Sequence, residues 1–300
     1  MSGLLCISFT AIFTKWANVP GPVSAVWRMT IAAVVLALPF IRQVRHWTPA
    51  ARLNISWGIA GGLAFALNLG LLNTALLLTS AATATLLDNT APLWVGIGAL
   101  IVFGERLKGR YWAGLALALA GAAVVTGFNP TAGFVPNRGD AIAFGGATFY
   151  AVYLLITQRG RRDLDSLSYL WLVVASAGVA LTLASLALRL PLFGYSLRTY
   201  AALLAVGVFS QAGGWLLINY ALGDLPASTA VIVLLDQPVV TGLLSIPLLG
   251  ELLTPRQVLG GLVVLPGIYL CLKRILSIFR GVSVKCLALF GSARHFPPDY

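Results

Sequence analysis

Apolar residues run along this chain in stretches of about 20, broken by short clusters of charge, proline and glycine. That is the length an α-helix needs to cross a hydrocarbon core about 30 Å thick. The breaks delimit spans at 3–18, 22–41, 53–78, 80–103, 111–128, 139–158, 167–188, 199–222, 226–249 and 256–279. Between Arg52 and Glu105 the only charge is Asp88, so this run must be two helices folded back at Thr79 and Ser80. Every lipid-facing amide is then satisfied within its own helix. The pattern predicts an all-α integral membrane protein of ten transmembrane helices. Residues 280–300, with Pro297 and Pro298, are neither long nor apolar enough for another crossing and read as a cytoplasmic tail.

Composition agrees with the pattern. Hydrophobic residues make up 59% and charged residues 10% of the chain, and the mean hydropathy is +0.89. A soluble domain carries about 25% charged residues, so this chain has too little to build a water-facing surface. The net charge of +11 does not point to nucleic acid, because the basic residues lie in loops rather than on one amphipathic face.

Counted by loop with the N-terminus inside, the inner side holds Arg42, Arg45, Arg52, Arg106, Lys108, Arg110, Arg159, Arg161 and Arg162, with Lys273, Arg274, Arg280, Lys285 and Arg294 in the tail. The outer side holds Lys15, Arg138, Arg189, Arg198 and Arg256. This bias predicts that both termini are cytoplasmic. Residues 1–14 lack the basic start and cleavage site of a signal peptide, so the first helix is expected to stay. Its shortness before Lys15 leaves room for a native start upstream of Met1. Cys6, Cys271 and Cys286 have no ligand or disulfide spacing.

Sliding the chain on itself by 146 residues sets Asn73 on Asn219, Ala75 on Ala221, Ala81 on Ala227, Thr83 on Thr229 and Pro92 on Pro238. The register continues through Gly104-Glu105 onto Gly250-Glu251, Gly114 onto Gly260 and Gly121 onto Gly267. A shift of 140 lays Phe9, Ala11, Ile12 and Phe13 over Phe149, Ala151, Val152 and Tyr153. Residues 1–128 and 139–279 are therefore expected to be two five-helix repeats. An odd number of crossings makes the second repeat enter the membrane from the other side, an inverted arrangement that lets two halves exchange conformations around a midplane site.

The ten-helix pattern, the spacing from Pro22 to Arg28, and the doubled Pro92…Gly104-Glu105…Gly114 and Pro238…Gly250-Glu251…Gly260 series resemble the EamA-type branch of the drug/metabolite transporter superfamily, over residues 1–279. The resemblance implies helices 1–4 and 6–9 around a central cavity, with 5 and 10 at the side. It also implies export of small metabolites, often amino acids, across a bacterial inner membrane.

A charge in hydrocarbon costs at least about 2.5–3.5 kcal/mol, which makes intramembrane ionisable residues functional candidates. Arg28 lies about 9 Å and Asp88 about 12 Å from the outer ends of their helices. They are close enough in depth to form a structural ion pair, or Arg28 snorkels outward to the membrane surface. Alternatively, Arg28 takes a substrate carboxylate while Asp88 serves as resting counter-ion or proton carrier. Asp236 falls near the midplane, ahead of Gln237 and of Pro238, whose missing amide frees a carbonyl; a cavity role and a buried structural carboxyl both fit.

Asn73 and Asn219, with Asn68 and Gln211 on the same two helices, are candidates for interhelical hydrogen bonds or a cavity lining. Trp215 shares a face with Gln211, and Phe9, Phe13, Tyr150 and Tyr153 could line the same space. Glu105 and Glu251 sit at membrane edges and are expected to act at helix ends. Glu251 precedes Thr254-Pro255, read as the N-cap and first turn of helix 10. The recurring glycines Gly114, Gly121, Gly260 and Gly267 suit close helix approach.

His46 and His295 lie outside the spans, so no histidine-based metal site or triad is available within the membrane, and no Walker-type loop occurs. No cofactor is expected. The expected partners are the lipid bilayer and a small-molecule substrate, with protons as the candidate coupling ion. The resulting expectation is a secondary exporter of amino acids, aromatic or other large neutral ones included, working by alternating access. The rival solutes are nucleobase-like or amphipathic drug-like molecules, and the rival class is a passive channel.

Overall fold

The structure, a computed structural model, describes residues 2–45, 47–125, 137–250 and 254–271. Among them every regular element is helical: α1 Ser2–Ala17, α2 Gly21–Val44, α3 Pro49–Leu53, α4 Ile55–Leu78, α5 Ala81–Asp88, α6 Ala91–Phe103, α7 Gly109–Val125, α8 Arg138–Gly160, α9 Ser166–Ala187, α10 Leu197–Ala205, a π-helical segment Val206–Gly214, α11 Trp215–Asp224, α12 Ala227–Leu234 and α13 Gln237–Leu249; α14 is Pro255–Cys271. Among the described residues, seven helices are long and apolar enough to span a membrane, counting Thr83–Phe103, Leu197–Asp224 and Ala227–Leu249 as one each. Three apolar helices, α1, α7 and α14, are shorter. His46, Glu251 and the segments expected to form the tail lie outside the described residues.

Within the described residues the apolar runs of the sequence fall on these elements, the ends of the runs 111–128 and 256–279 lying outside them, and three of the runs are not uniform helices. The run 80–103 breaks between α5 and α6, and 226–249 breaks between α12 and α13. The cause is the same in both. Pro92 and Pro238, at the starts of α6 and α13, lack the amide that would bond the carbonyl four residues back. The backbone follows: Thr90 has φ −76°, ψ −6° and Asp236 has φ −77°, ψ −11°. The two segments also end alike, on Gly104 with φ 66° and Gly250 with φ 68°, a left-handed conformation that glycine adopts without steric cost. The third run, 199–222, contains the π-helical turns at Val206–Gly214.

The centre of the bundle is the contact of α4 with α8 and of α2 and α4 with α9. Glycines permit it. A Cβ on Gly58 would meet Leu172, and one on Gly62 would meet the Val173 carbonyl. Trp171 donates to the Ala33 carbonyl at 2.9 Å, and its ring stacks on Phe40 at 3.9 Å, fixing α9 to α2. At the side, α7 and α14 cross glycine on glycine, with Gly114 against Gly267 and Gly121 against Gly260. The N-terminus of α14 is capped as expected: Thr254 Oγ1 accepts from the Gln257 amide at 3.3 Å, and Gln257 Oε1 accepts from the Thr254 amide at 2.8 Å.

At the start of α8, Asn137 and Asp140 form a reciprocal capping box. Thr79, at the end of α4, donates to Asp140 Oδ1 at 2.6 Å and accepts from Asn137 Nδ2 at 3.4 Å. Asn137→Ala is expected to cost about 1 kcal/mol. A thermal scan in detergent would show a downshift of about 2–4 °C; an unchanged midpoint would mean the cap carries no stability.

Candidate functional site

A cavity of about 160 Å³ lies inside the bundle. α1 contributes Ile7 and Thr10, α2 Arg28, α4 Phe65, Asn68, Leu69 and Leu72, and α8 Tyr150. The two broken helices meet it at their breaks, with Asp88, Asn89, Ala91 and Pro92 on one side and Val231, Leu234, Leu235 and Gln237 on the other. Trp215, at the end of the π-helical segment, completes the lining. Proline thus interrupts both helices at residues that line the cavity, Asp88 on one side and Leu234 on the other.

Arg28 and Asp88 both reach this cavity, but no ion pair joins them. Asp88 Oδ1 instead accepts from Asn68 Nδ2 at 2.9 Å, and the same amide donates to the Gly146 carbonyl at 3.1 Å. Arg28 Nε is buried with no hydrogen-bond partner. The structural ion pair allowed by the sequence is not formed; Asp88 is bonded by Asn68 on α4 instead. The cavity presents a cation and an anion that do not neutralise each other directly.

One wall is aromatic. Phe65 packs on Tyr153 at 4.7 Å and on Trp215 at 5.1 Å, and Tyr150 stacks with Tyr153 at 6.2 Å. Phe65, Tyr150 and Trp215 face the cavity; Tyr153 backs them, fully buried. The Tyr153 hydroxyl and Asn219 Oδ1 are buried without hydrogen-bond partners, while Asn219 Nδ2 donates to the Trp215 carbonyl at 2.9 Å.

Of the remaining described residues singled out by sequence, Gln237 belongs to the lining and the others sit outside it. Asp236 is buried beside Gln237, with one carboxylate oxygen unpartnered. Gln237 lines the cavity and donates to the Ile7 carbonyl at 3.3 Å. Gln211 is buried in the π-helical segment, its Nε2 unpartnered. Asn73 bonds back to the Leu69 carbonyl at 2.7 Å and packs on Gly21. Phe9 and Phe13 cluster with Phe209, away from the cavity. Glu105 bonds to Gln158 and Ser228. Sequence pattern alone does not single out Phe65 or Asn89; Phe65 precedes Asn68 by one helical turn, and that spacing is the one available signal.

An apolar multi-helix bundle with a charged, aromatic-walled cavity enclosed by broken helices has the anatomy of a membrane transporter. The chain belongs to the EamA-like transporter family, whose model matches residues 1–127 and 137–273. An uncharacterized transporter from Clostridium kluyveri is 26% identical over 214 residues, covering 67% of each chain. A protein of known crystal structure superposes with a TM-score of 0.74 at 19% identity, over 90% of this chain and 93% of that one, a likeness of fold.

Proposed function

We propose that this transporter is a secondary carrier that exports amino acids or similar small amphipathic metabolites across a bacterial inner membrane by alternating access. Its ten helices form two inverted repeats, residues 1–128 and 139–279, with both termini cytoplasmic. The two-part family match and the paired breaks at Thr90 and Asp236 support the repeat. The loop charges support the orientation.

One observation carries the substrate reading: Arg28 and Asp88 share a cavity with an aromatic wall and are not paired with each other. Arg28 offers a planar fork of donors for a carboxylate, Asp88 an acceptor for an ammonium group, and Phe65, Tyr150 and Trp215 a surface for an apolar side chain. The cavity is smaller than the roughly 300–1,000 Å³ pockets that bury drug-sized ligands, which favours a small solute. Without a nucleotide motor, transport runs on exchange or an ion gradient, with protons as the coupling ion.

The test is flux in proteoliposomes over a panel of labelled amino acids, with and without a pH gradient. Saturable uptake with counterflow of preloaded solute is the expected result. Flux that rises linearly with concentration and shows no counterflow would replace the carrier with a channel.

A further inference from the structure

At one end of the bundle, just beyond the cavity, a cluster of polar side chains joins three helices. Glu105 Oε1 accepts from Gln158 Nε2 on α8 at 3.0 Å, and Oε2 accepts from Ser228 Oγ on α12 at 2.7 Å. Gln158 Oε1 in turn accepts from the Ala227 amide at 2.8 Å, satisfying a donor that the first turn of α12 leaves open. The left-handed Gly104 and a bond of 3.1 Å from the Glu105 amide to the Ala99 carbonyl close α6 immediately before this contact. Ser228 is one helical turn from Val231, which lines the cavity. Beside it the buried Tyr111 hydroxyl lies 3.4 Å from the carbonyls of Pro92 and Ser228.

We propose that Glu105 is the latch of the transport cycle. Its carboxylate ties α6 to α8 and α12 and shuts the cavity at that end; rupture of its bonds to Ser228 and Gln158 opens it. The inference rests on the alternating-access reading. A carboxylate is suited to the task because hydrogen bonds to an ionised acceptor are roughly twice as strong as neutral ones. A contact made in one state and absent from the other biases the equilibrium by its whole differential energy. The sequence pattern assigns Glu105 to a helix end, and the structure adds the two partners across the bundle.

The test needs no substrate. In a protein with Cys6, Cys271 and Cys286 replaced by alanine, Val231→Cys reports access from the Glu105 end and Leu72→Cys from the other. A membrane-impermeant maleimide is applied from each side of oriented vesicles. Val231→Cys is expected to react slowly from the Glu105 side, about tenfold faster with Glu105→Ala, at an intermediate rate with Ser228→Ala, and slowly again with Ser228→Thr, which keeps the hydroxyl. Leu72→Cys should slow from its own side with Glu105→Ala, because the population moves away from that opening. An unchanged Val231→Cys rate with Glu105→Ala would overturn the latch, as would equal acceleration of both reporters, which marks general loosening. Rapid labelling of both reporters from both sides in the otherwise unaltered protein would overturn alternating access and the latch with it.

Discussion

Arg28→Ala is expected to lower transport of a carboxylate-bearing solute on the order of 100-fold, the loss that follows from removing one member of a buried, charge-assisted contact worth about 2–5 kcal/mol. Arg28 lines the cavity from α2 with its buried Nε unpartnered, so that donor is uncommitted within the protein. Initial rates in proteoliposomes over a range of solute concentrations should show the loss chiefly as a raised half-saturation constant. Arg28→Lys should recover only part of it, because an ammonium lacks the fork that meets both carboxylate oxygens. Asp88→Asn is a cleaner deletion of charge, since the new side-chain oxygen can still accept from Asn68, which is 2.9 Å from Asp88 Oδ1. Transport at native rates by both Arg28→Ala and Asp88→Asn would remove the cavity charges from the mechanism and leave the fold intact.

The second large effect is on stability. A side chain at Gly267 would place its Cβ 2.5 Å from the Ala118 amide nitrogen and 2.8 Å from the Gly114 carbonyl. Those are backbone atoms that cannot turn aside. Gly267→Leu must therefore push α14 off α7, and in lipid that contact is held by close packing, with no hydrophobic drive to restore it. Overpacking of this kind costs about 1–3 kcal/mol, so the thermal midpoint in detergent should fall by about 2–12 °C. Gly70→Leu is the control, because nothing lies within 4 Å of a Cβ there. Equal behaviour of the two variants would show that the α7–α14 contact does not support the bundle.

The elements were legible in the sequence because lipid imposes a simple rule, that each crossing be long, apolar and hydrogen-bonded within itself. The breaks were half legible: Pro92 and Pro238 announce lost hydrogen bonds, but not that the chain would cap and restart at Thr90 and Asp236. The π-helical turns at Val206–Gly214 carry no local signal, since a wide turn depends on how α1 and α2 pack against it. Charge made Arg28 and Asp88 visible, because an ionisable group stands out in an apolar run. Their partners were not visible. Depth along a helix follows from residue number, whereas the face a residue presents depends on helix rotation, and the bond from Asn68 to Asp88 could not be read from depth alone. The same limit explains Asn73 and Phe9, placed at plausible depths yet turned away from the cavity. Glu105 shows the converse: its position at a helix end was clear, and its reach to Gln158 and Ser228, more than 50 residues on, was not.

The central claim is that two similar halves cross the lipid with opposite polarity around one cavity. Sidedness mapping of the 104–108 and 250–254 connections, by single-site labelling with an impermeant reagent in intact cells and inverted vesicles, tests it most directly. The account predicts that the first connection is reached only from the cytoplasm and the second only from outside. Labelling of both from the same face would contradict it.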